Sequence, residues 1–381
     1  MRTLQVVFYG DPHGYPPIIN AARALADSGW RIEIVCRAER THGDVRWPAG
    51  VTLVRAERSP RHRWGEYAAF VWMAVKRAKR GAIVAGHDMH GLLPAALMAR
   101  KAGAPLVYHC HDFADAARSL PAGSRIVKAF EPMLARRAAL VVVPDARRGD
   151  VMRRELGLRE APLVVPNAPR ASPSLPPGRL REALAVRGHP PCRVVLRQGR
   201  IGPGHGIEAT IRSMPRWSDP SARFVLMGPG EPEFVSRISA LAAEWGVADR
   251  VVVLPAVAYD EVAGFTREAD VGHALYDPVN VNHVEMGTAS NKVIEYMAAG
   301  IPSIVADNPS FRALLAKARF GLAADPSSEA AIADAVNRIL GDPALAADLG
   351  AAGRRAFEAE LQYDHHAAAL RARLEALPPP G

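Results

Sequence analysis

Ser290, Asn291 and Glu295 have types and spacing that could hold a diphosphate and a ribose. They belong to the run from Ser290 to Pro302, which carries the punctuation of one helix. Ser290 or Asn291 suits the N-cap, and Gly300 suits the left-handed position past the last turn. Pro302 stops continuation before an apolar strand at Ser303–Val305. A polar loop opening a helix presents free backbone N–H groups and the positive end of the helix dipole, and both stabilise a diphosphate. Glu295, about one turn along, can accept paired hydrogen bonds from ribose 2′- and 3′-hydroxyls. On spacing alone, an ordinary capped helix with Glu295 as a solvated charge fits equally well.

These groups need a scaffold, and the apolar pattern supplies one. Short apolar segments at Gln5–Tyr9, Arg31–Cys36, Val51–Val54, Ala82–Ala85, Leu106–His109 and Leu140–Val143 read as strands. Helical patterns at Ile18–Ser28, Trp64–Arg80 and Leu92–Ala102 fall between them. The strands show little alternation, as expected when helices cover both faces of a parallel sheet. Eight prolines between Pro162 and Pro191 interrupt the rhythm. It restarts with strands at Arg193–Leu196, Phe224–Met227, Val251–Leu254, Gly272–Leu275 and Ser303–Val305. Helices are predicted at Ile207–Met214, Glu233–Trp245, Tyr259–Ala269, Asn291–Ala299, Ala330–Leu340, Ala344–Glu358 and Tyr363–Leu377. The expected organisation is a first α/β domain over 1–168, a Pro-rich linker over 169–191 and a second α/β domain over 192–359. A long surface loop within one domain is the alternative to the linker. No internal repeat is visible.

Strand ends are where ligands meet such folds. Gly10–Tyr15 follows the first strand, and Gly14 there either lets a ligand approach the backbone or belongs to a plain turn. His111 and Asp112 follow Leu106–His109; alternation was expected to turn His109 elsewhere. A lone histidine such as His111 is more often structural than catalytic. His87 and Asp88 form a weaker candidate pair.

The run from Ser290 to Pro302 resembles the donor-binding helix of the GT-B glycosyltransferases, especially family 4. The resemblance extends over most of the chain. Gln198-Gly199-Arg200-Ile201 with Gly204-His205-Gly206 is similar to a strand-end element that neutralises the donor diphosphate. Phe224–Gly230 is similar to a strand followed by a glycine pair that includes Gly228. Val252–Val257 resembles a loop whose backbone, at Val257, reads the nucleobase, and Ala269–Gly272 the segment before the donor loop. In the first half, His87–Ala95 and Gly103–Asp112 resemble the acceptor side, and Pro166-Asn167 the segment closing the first domain.

The resemblance implies two Rossmann-like domains facing across a cleft, with the last helix, within 360–377, crossing back to the first. It implies metal-independent, retaining transfer of a sugar from a nucleotide-diphosphate sugar, UDP before GDP. The acceptor would be a glycan, a lipid-linked molecule or a small molecule. No cofactor and no metal are expected, and the sequence has no Asp-x-Asp. Donor binding falls to Gly14, Gly199, Arg200, His205, Gly228, Val257, Ser290, Asn291, Lys292 and Glu295. Catalysis falls to His111, Asp112 and Arg200. Two positions depart from the pattern. The first of two glutamates spaced eight apart is Gly287, so sugar contacts must come from the backbone of Met286–Ser290 or from Glu285. The usual diphosphate lysine is His205, whose charge Lys292 would have to supply. These departures keep open an impaired binding protein of the same fold, and an epimerase remains a further alternative.

The chain has 381 residues, 49% of them hydrophobic, and no apolar run approaches the ~20 residues of a membrane helix. The N-terminal apolar stretch is too short for a signal peptide, and three scattered cysteines fit a reduced, cytoplasmic setting. The net charge is +9, and residues 37–80 carry eleven Lys or Arg against four acids. No nucleic-acid motif accompanies that charge. The helix at 64–80 mixes aromatics with cations, and reads either as core-facing with a solvated basic end or as lying in a membrane interface.

Overall fold

The computed structural model describes residues 2–37, 43–56, 63–114, 120–171 and 178–378. The prolines at 173, 176 and 177, the basic residues Arg40, Arg58 and Arg61, and the side chains of Arg63 and Trp64 lie outside that description. Two parallel sheets dominate. The first contains β1 (Thr3–Phe8), β2 (Arg31–Arg37), β3 (Val51–Ala56), β4 (Ala82–His87), β5 (Leu106–His109), β6 (Leu140–Val143) and β7 (Leu163–Val164), in the order 3-2-1-4-5-6-7. Around it lie α1 (Pro16–Asp27), α2 (Arg63–Lys76), α3 (Asp88–Ala102), α4 (Ala122–Ala135) and α5 (Ala146–Leu156). α6 (Leu180–Ala185) follows within the proline-rich stretch and buries Leu180 and Leu184.

The second sheet contains β8 (Val194–Gln198), β9 (Arg223–Met227), β10 (Val251–Leu254), β11 (Val271–Ala274), β12 (Ser303–Ala306) and β13 (Gly321–Ala324), in the order 10-9-8-11-12-13. Its helices are α7 (Ile207–Ser213), α8 (Pro232–Glu244), α9 (Tyr259–Thr266), α10 (Val281–Val284), α11 (Asn291–Ala299), α12 (Pro309–Ala318), α13 (Glu329–Gly341) and α14 (Pro343–Ala356). α15 (Tyr363–Glu375) ends the chain's regular structure. β1, β4 and β8 are buried at almost every position because helices cover both faces.

Both sheets are doubly wound, and each reverses its strand order beside its first strand: β1 against β4, β8 against β11. A crevice opens at the strand C-termini of such a switch point. The two crevices share one cleft, so the loops after β1 and β5 confront those after β8, β9, β10 and β11. α15 crosses back and buries Leu370 and Leu374 in the same apolar cluster as Ile18 and Leu25 of α1. Each such leucine contributes roughly 1.5–3 kcal/mol. Arg170 ties the junction, reaching Asp27 at 2.6 Å and Asp364 at 2.8 Å.

One expected helix is shorter than its pattern, and some helices were not expected. The helical pattern to Arg80 ends at Lys76, where Gln5 Nε2 donates to the Arg77 carbonyl at 2.7 Å and turns the chain toward β4. α4, α5 and α12 fall where the pattern suggested no element; α4 and α5 carry proline, arginine or glycine inside an otherwise helical spacing.

The seam between the halves is polar. Arg148, 1% exposed, sends NH1 to the His111 carbonyl, NH2 to the Asn282 carbonyl at 3.0 Å and Nε to the Glu285 carbonyl at 3.3 Å. Asn167 N donates to the Thr288 carbonyl at 3.0 Å, and Asn20 Nδ2 donates to Tyr259 Oη at 3.0 Å. Replacing Arg148 with Met strands buried carbonyls from both halves, a loss of roughly 3–5 kcal/mol. In differential scanning fluorimetry we expect R148M to lower Tm by roughly 6–12 °C. Its neighbour Arg147, half exposed and paired only with Glu285 at 2.7 Å, should move Tm by no more than about 2 °C as R147M. Equal effects would contradict the seam assigned to Arg148.

Candidate active site

The cleft encloses about 1010 Å³, and all twelve residues singled out from the sequence line it. Its second-half wall is built from strand ends. β8 ends at Gln198, and the chain turns through Gly199 at φ +95°. A Cβ on Gly228, after β9, would lie 2.1 Å from the Gly199 carbonyl, so the two loops close up only because that side chain is absent. Arg200 is exposed at the mouth and pairs with Glu231 at 2.7 Å, a weak surface contact that an anion can replace. Val257, past β10, lines the far wall beside Tyr259.

Ser290 occupies the N-cap of α11 but makes no side-chain capping bond, so the first N–H groups of the helix are not taken by it. The Oδ1 of Asn291 is buried without a hydrogen-bond partner. Lys292 donates from Nζ to Tyr276 Oη at 2.6 Å. The Tyr276 ring lies 5.1 Å from that ammonium and 5.4 Å from the guanidinium of fully buried Arg197. Burial alone would raise the phenol, but Lys292 and Arg197 outweigh it and hold Tyr276 below its ordinary value. Tyr276 was missed from the sequence; its position just past β11 was the available signal.

His205 does not supply the fixed charge its position suggested. Burial, then Arg197, Lys292 and His283, hold it far below the usual imidazole value. Its Nδ1 lies 3.0 Å from the Arg200 carbonyl, which fixes the proton on that nitrogen. Lys292 is therefore the cation at this end of the cleft, next to Gly199. Glu295 is half-buried and accepts a hydrogen bond from Gln198 Nε2, whose Oε1 accepts from Thr266 Oγ1 at 2.7 Å. Burial raises the Glu295 carboxyl against the opposing pull of Gln198 and Lys292.

The first-half wall carries Gly14, in a single 3-10 turn started by Pro12 and capped by Asp11, with His111 and Asp112 beyond it. His111 is buried and its imidazole is pushed down to about 3 by that burial. Its Nδ1 lies 3.3 Å from Asn167 Oδ1, and its Nε2 lies 3.1 Å from His87 Nδ1. Asp112 is largely exposed to the cleft, 3.9 Å from Arg148. Asp88 sets this loop. Its Oδ1 accepts the N–H of His111 at 2.8 Å and of Asp112 at 3.1 Å, and its Oδ2 accepts from Tyr15 Oη at 2.9 Å. It does so from a left-handed backbone, φ +54°, a strain tolerated because those bonds over-determine it. His109 does not point away. It lies two residues before His111, on the same side of the strand, and their rings stack at 4.0 Å.

Residues 192–342 match the model of the family described as Glycosyl transferases group 1, and residues 19–168 match the Glycosyl transferase 4-like domain. The chain is a group 1 glycosyltransferase. It is 26% identical to 2-deoxystreptamine glucosyltransferase of Streptomyces kanamyceticus, over 93% of this chain and 96% of that one. It is 30% identical to a GDP-mannose-dependent alpha-(1-6)-phosphatidylinositol monomannoside mannosyltransferase of Mycobacterium tuberculosis, over 51% of this chain and 54% of that one. In fold it matches sucrose-phosphate synthase from Thermosynechococcus elongatus, with a TM-score of 0.77 at 20% identity over 99% of both chains. It also matches the Anabaena protein HepE solved with UDP-glucose, with a TM-score of 0.75 at 18% identity over 99% of this chain and 100% of that one. The architecture is GT-B.

Within this glycosyltransferase, Gly287 has φ +31°, and a Cβ there would lie 2.4 Å from both Asp145 Oδ2 and Ser310 Oγ. No side chain fits at that position. Glu285 does not stand in for it: its carboxylate is turned to Arg147 at 2.7 Å and does not line the cleft. Met286, Ala289 and Ser290 do line it.

The raised Glu295 carboxyl makes a signed prediction for the unliganded protein. Its unfolded value is near 4.5 and its folded value is higher. Between the two, the folded state binds the proton more tightly, so wild-type stability is lost as pH rises through that window. E295Q lacks this loss. The Tm of E295Q relative to wild type should rise from about zero near pH 4 to a positive plateau at neutral pH. A flat or falling difference would remove the desolvated carboxylate from this account.

Proposed function

We propose that this enzyme takes its sugar from a nucleotide-diphosphate donor held in the second half of the cleft. One observation carries the reading: Lys292, the start of α11, Gly199 and Glu295 line the same cleft as His111 and Asp112. The diphosphate lies against the α11 N–H groups and Lys292, with Arg200 swinging in from the mouth. Glu295 takes the ribose hydroxyls, and the backbone near Val257 meets the base. UDP is the first choice of nucleotide, as in the HepE complexes, and GDP the second, after the mannosyltransferases.

In the transfer step the acceptor oxygen forms a bond to the anomeric carbon as the bond to the phosphate oxygen breaks. The electron pair stays with the departing diphosphate, which takes the acceptor proton. Attack from the face of the leaving group retains configuration. Lys292, Arg200 and the helix dipole stabilise the charge that grows on the diphosphate, so no metal ion is assigned to this step. His111, with both nitrogens engaged by Asn167 and His87, offers the sugar a ring edge and a fixed position rather than a proton. The two glycosyltransferase relatives named above are a 2-deoxystreptamine glucosyltransferase and a phosphatidylinositol monomannoside mannosyltransferase. A polyhydroxylated six-membered carbocycle, free or lipid-linked, is the acceptor class we assign, received by Asp112 and Asn282.

A thermal-shift screen of nucleotide-sugars tests the donor, since a ligand of the folded state raises Tm. UDP-sugars should give the largest shift. K292M and E295A should each lower kcat/KM by roughly 10- to 150-fold, the equivalent of one charge-assisted hydrogen bond. Binding without turnover against any polyol acceptor would favour an impaired binding protein, the reading that Gly287 and neutral His205 support.

The peripheral membrane contact belongs to the same proposal. Among the described residues no helix is long and apolar enough to cross a membrane. α3 packs between α2 and α4; α2 exposes Trp72 (62%), with Lys76 of the basic run Lys76–Arg80 over its ring, and α4 exposes Ile126 (55%) and Phe130 (46%). Sedimentation with anionic vesicles should capture the wild type and lose the triple variant Arg77→Gln, Lys79→Gln, Arg80→Gln. Equal capture removes the contact.

A further inference from the structure

Three imidazoles that the transfer reaction does not require as a group meet at the C-terminal edge of the first sheet. His87 ends β4 and pairs in register with His109, which ends β5. His111 follows two residues later and projects to the same side. The three are 3%, 5% and 2% exposed, and one nitrogen from each lies within 4.8 Å of the other two. His87 Nδ1 and His111 Nε2 are 3.1 Å apart. Two ligands on one tetrahedral ion, with bonds of about 2.0–2.1 Å, stand roughly 3.3 Å apart.

Two further observations point to a ligand. The Nε2 of His109 is buried with no hydrogen-bond partner, a loss that an ion would recover. The other nitrogen of His111 is already oriented. Asn167 Nδ2 donates to the Ala289 carbonyl at 2.9 Å, which turns Asn167 Oδ1 toward His111 Nδ1. An outer hydrogen bond of this kind fixes the tautomer of a metal-binding imidazole and leaves Nε2 unprotonated. We propose that His87, His109 and His111 form a site for a divalent transition ion of the borderline class, zinc first. An all-imidazole donor set suits Zn²⁺, Co²⁺, Ni²⁺ or Cu²⁺, and gives Mg²⁺ or Ca²⁺ no oxygen ligand. Closing the site needs side-chain rotation that shortens the longest separation by up to roughly 1.5 Å. His111 lines the transfer cleft, so a bound ion would sit beside the reacting sugar's wall and take over the hydrogen bond that His87 now makes to its ring. It would not serve the diphosphate, which is assigned to residues of the other half.

The test uses untagged, chelator-treated full-length protein titrated with Co²⁺ and read by visible d–d absorption. One equivalent should bind and be displaced by Zn²⁺ in calorimetry. His109→Leu should abolish the band while keeping its metal-free Tm and its binding of nucleoside diphosphate. His87→Leu is a second variant with the same expected loss of the band. X-ray absorption on the Co²⁺-loaded wild type gives a reading independent of the variants, with three imidazole nitrogens at about 2.0–2.1 Å expected. Absence of binding at stoichiometric metal, uptake equal in wild type and both leucine variants, or a shell of oxygen ligands alone would each overturn the site and leave the three rings as a neutral stack in the core.

Discussion

The cleft depends on one buried cation. Arg148 stands on α5 of the first half, yet its guanidinium is satisfied by carbonyls from both halves. A fixed fork of donors makes this geometry specific in a way a lysine could not. Because NH1 takes the His111 carbonyl and NH2 and Nε take those of Asn282 and Glu285, the loop after β5 and the loop after β11 are set against each other by one side chain. Further cross-links join Asn20 to Tyr259, Asn167 to Thr288 and Ala289, Arg23 to Asp260, Arg147 to Glu285 and Asp145 to Thr288. Such a seam is more polar than a core and separates at modest cost, which suits a cleft that must admit substrate and then exclude water.

Charge in the donor half is arranged around Tyr276. Two cations, Lys292 and Arg197, lie against one phenol, and among the described residues no carboxylate forms an ion pair with either. A diphosphate entering there would meet Lys292, whose present partner is a phenol, while Arg197 is fully buried outside the cleft lining and pairs with an imidazole and a carbonyl. It therefore does not have to break a salt bridge at Lys292. Burial first, and then the same positive field, keeps His205 neutral. A histidine can replace a lysine at the position only where a second cation is at hand, and Lys292 is that cation.

The sequence exposed the chemistry of single elements more fully than the contacts between them. The two sheets, the helix after Ser290 and the strand-end placement of Gly14, Gly199, Gly228 and His111 follow from periodicity and glycine or proline punctuation. Those signals are local. Arg148 and Asp145 leave none, since an arginine and an aspartate near a helix start are ordinary surface residues until a second half packs on them. α4 escaped for a similar reason: Ile126, Phe130 and Met133 form an apolar stripe that the fold leaves exposed. His109 was misjudged by a miscount of periodicity. Residues two apart share a face, so His109 belongs with His111 and not against it.

The empty position at Gly287 shows how the two halves depend on each other. Asp145 caps α5 through Oδ1, accepting from the N–H of Arg147 and Arg148, and through Oδ2 it accepts from the N–H and hydroxyl of Thr288. A side chain at 287 would displace that carboxylate, and with it both the α5 cap and the hold on the donor loop. The carboxylate is spent on structure and is not available to a sugar. The polar groups left at that end of the cleft are the amides of Asn280 and Asn282, the His283 ring, backbone from Met286 to Ser290, and Asp112 from the opposite wall. Amides and backbone read hydroxyls by geometry rather than by charge, and they tolerate either orientation of a hydroxyl better than a carboxylate does. The end of the cleft proposed to take the sugar is thus tied to the closure of the seam: its loop keeps its shape only while Asp145 of the other half holds Thr288.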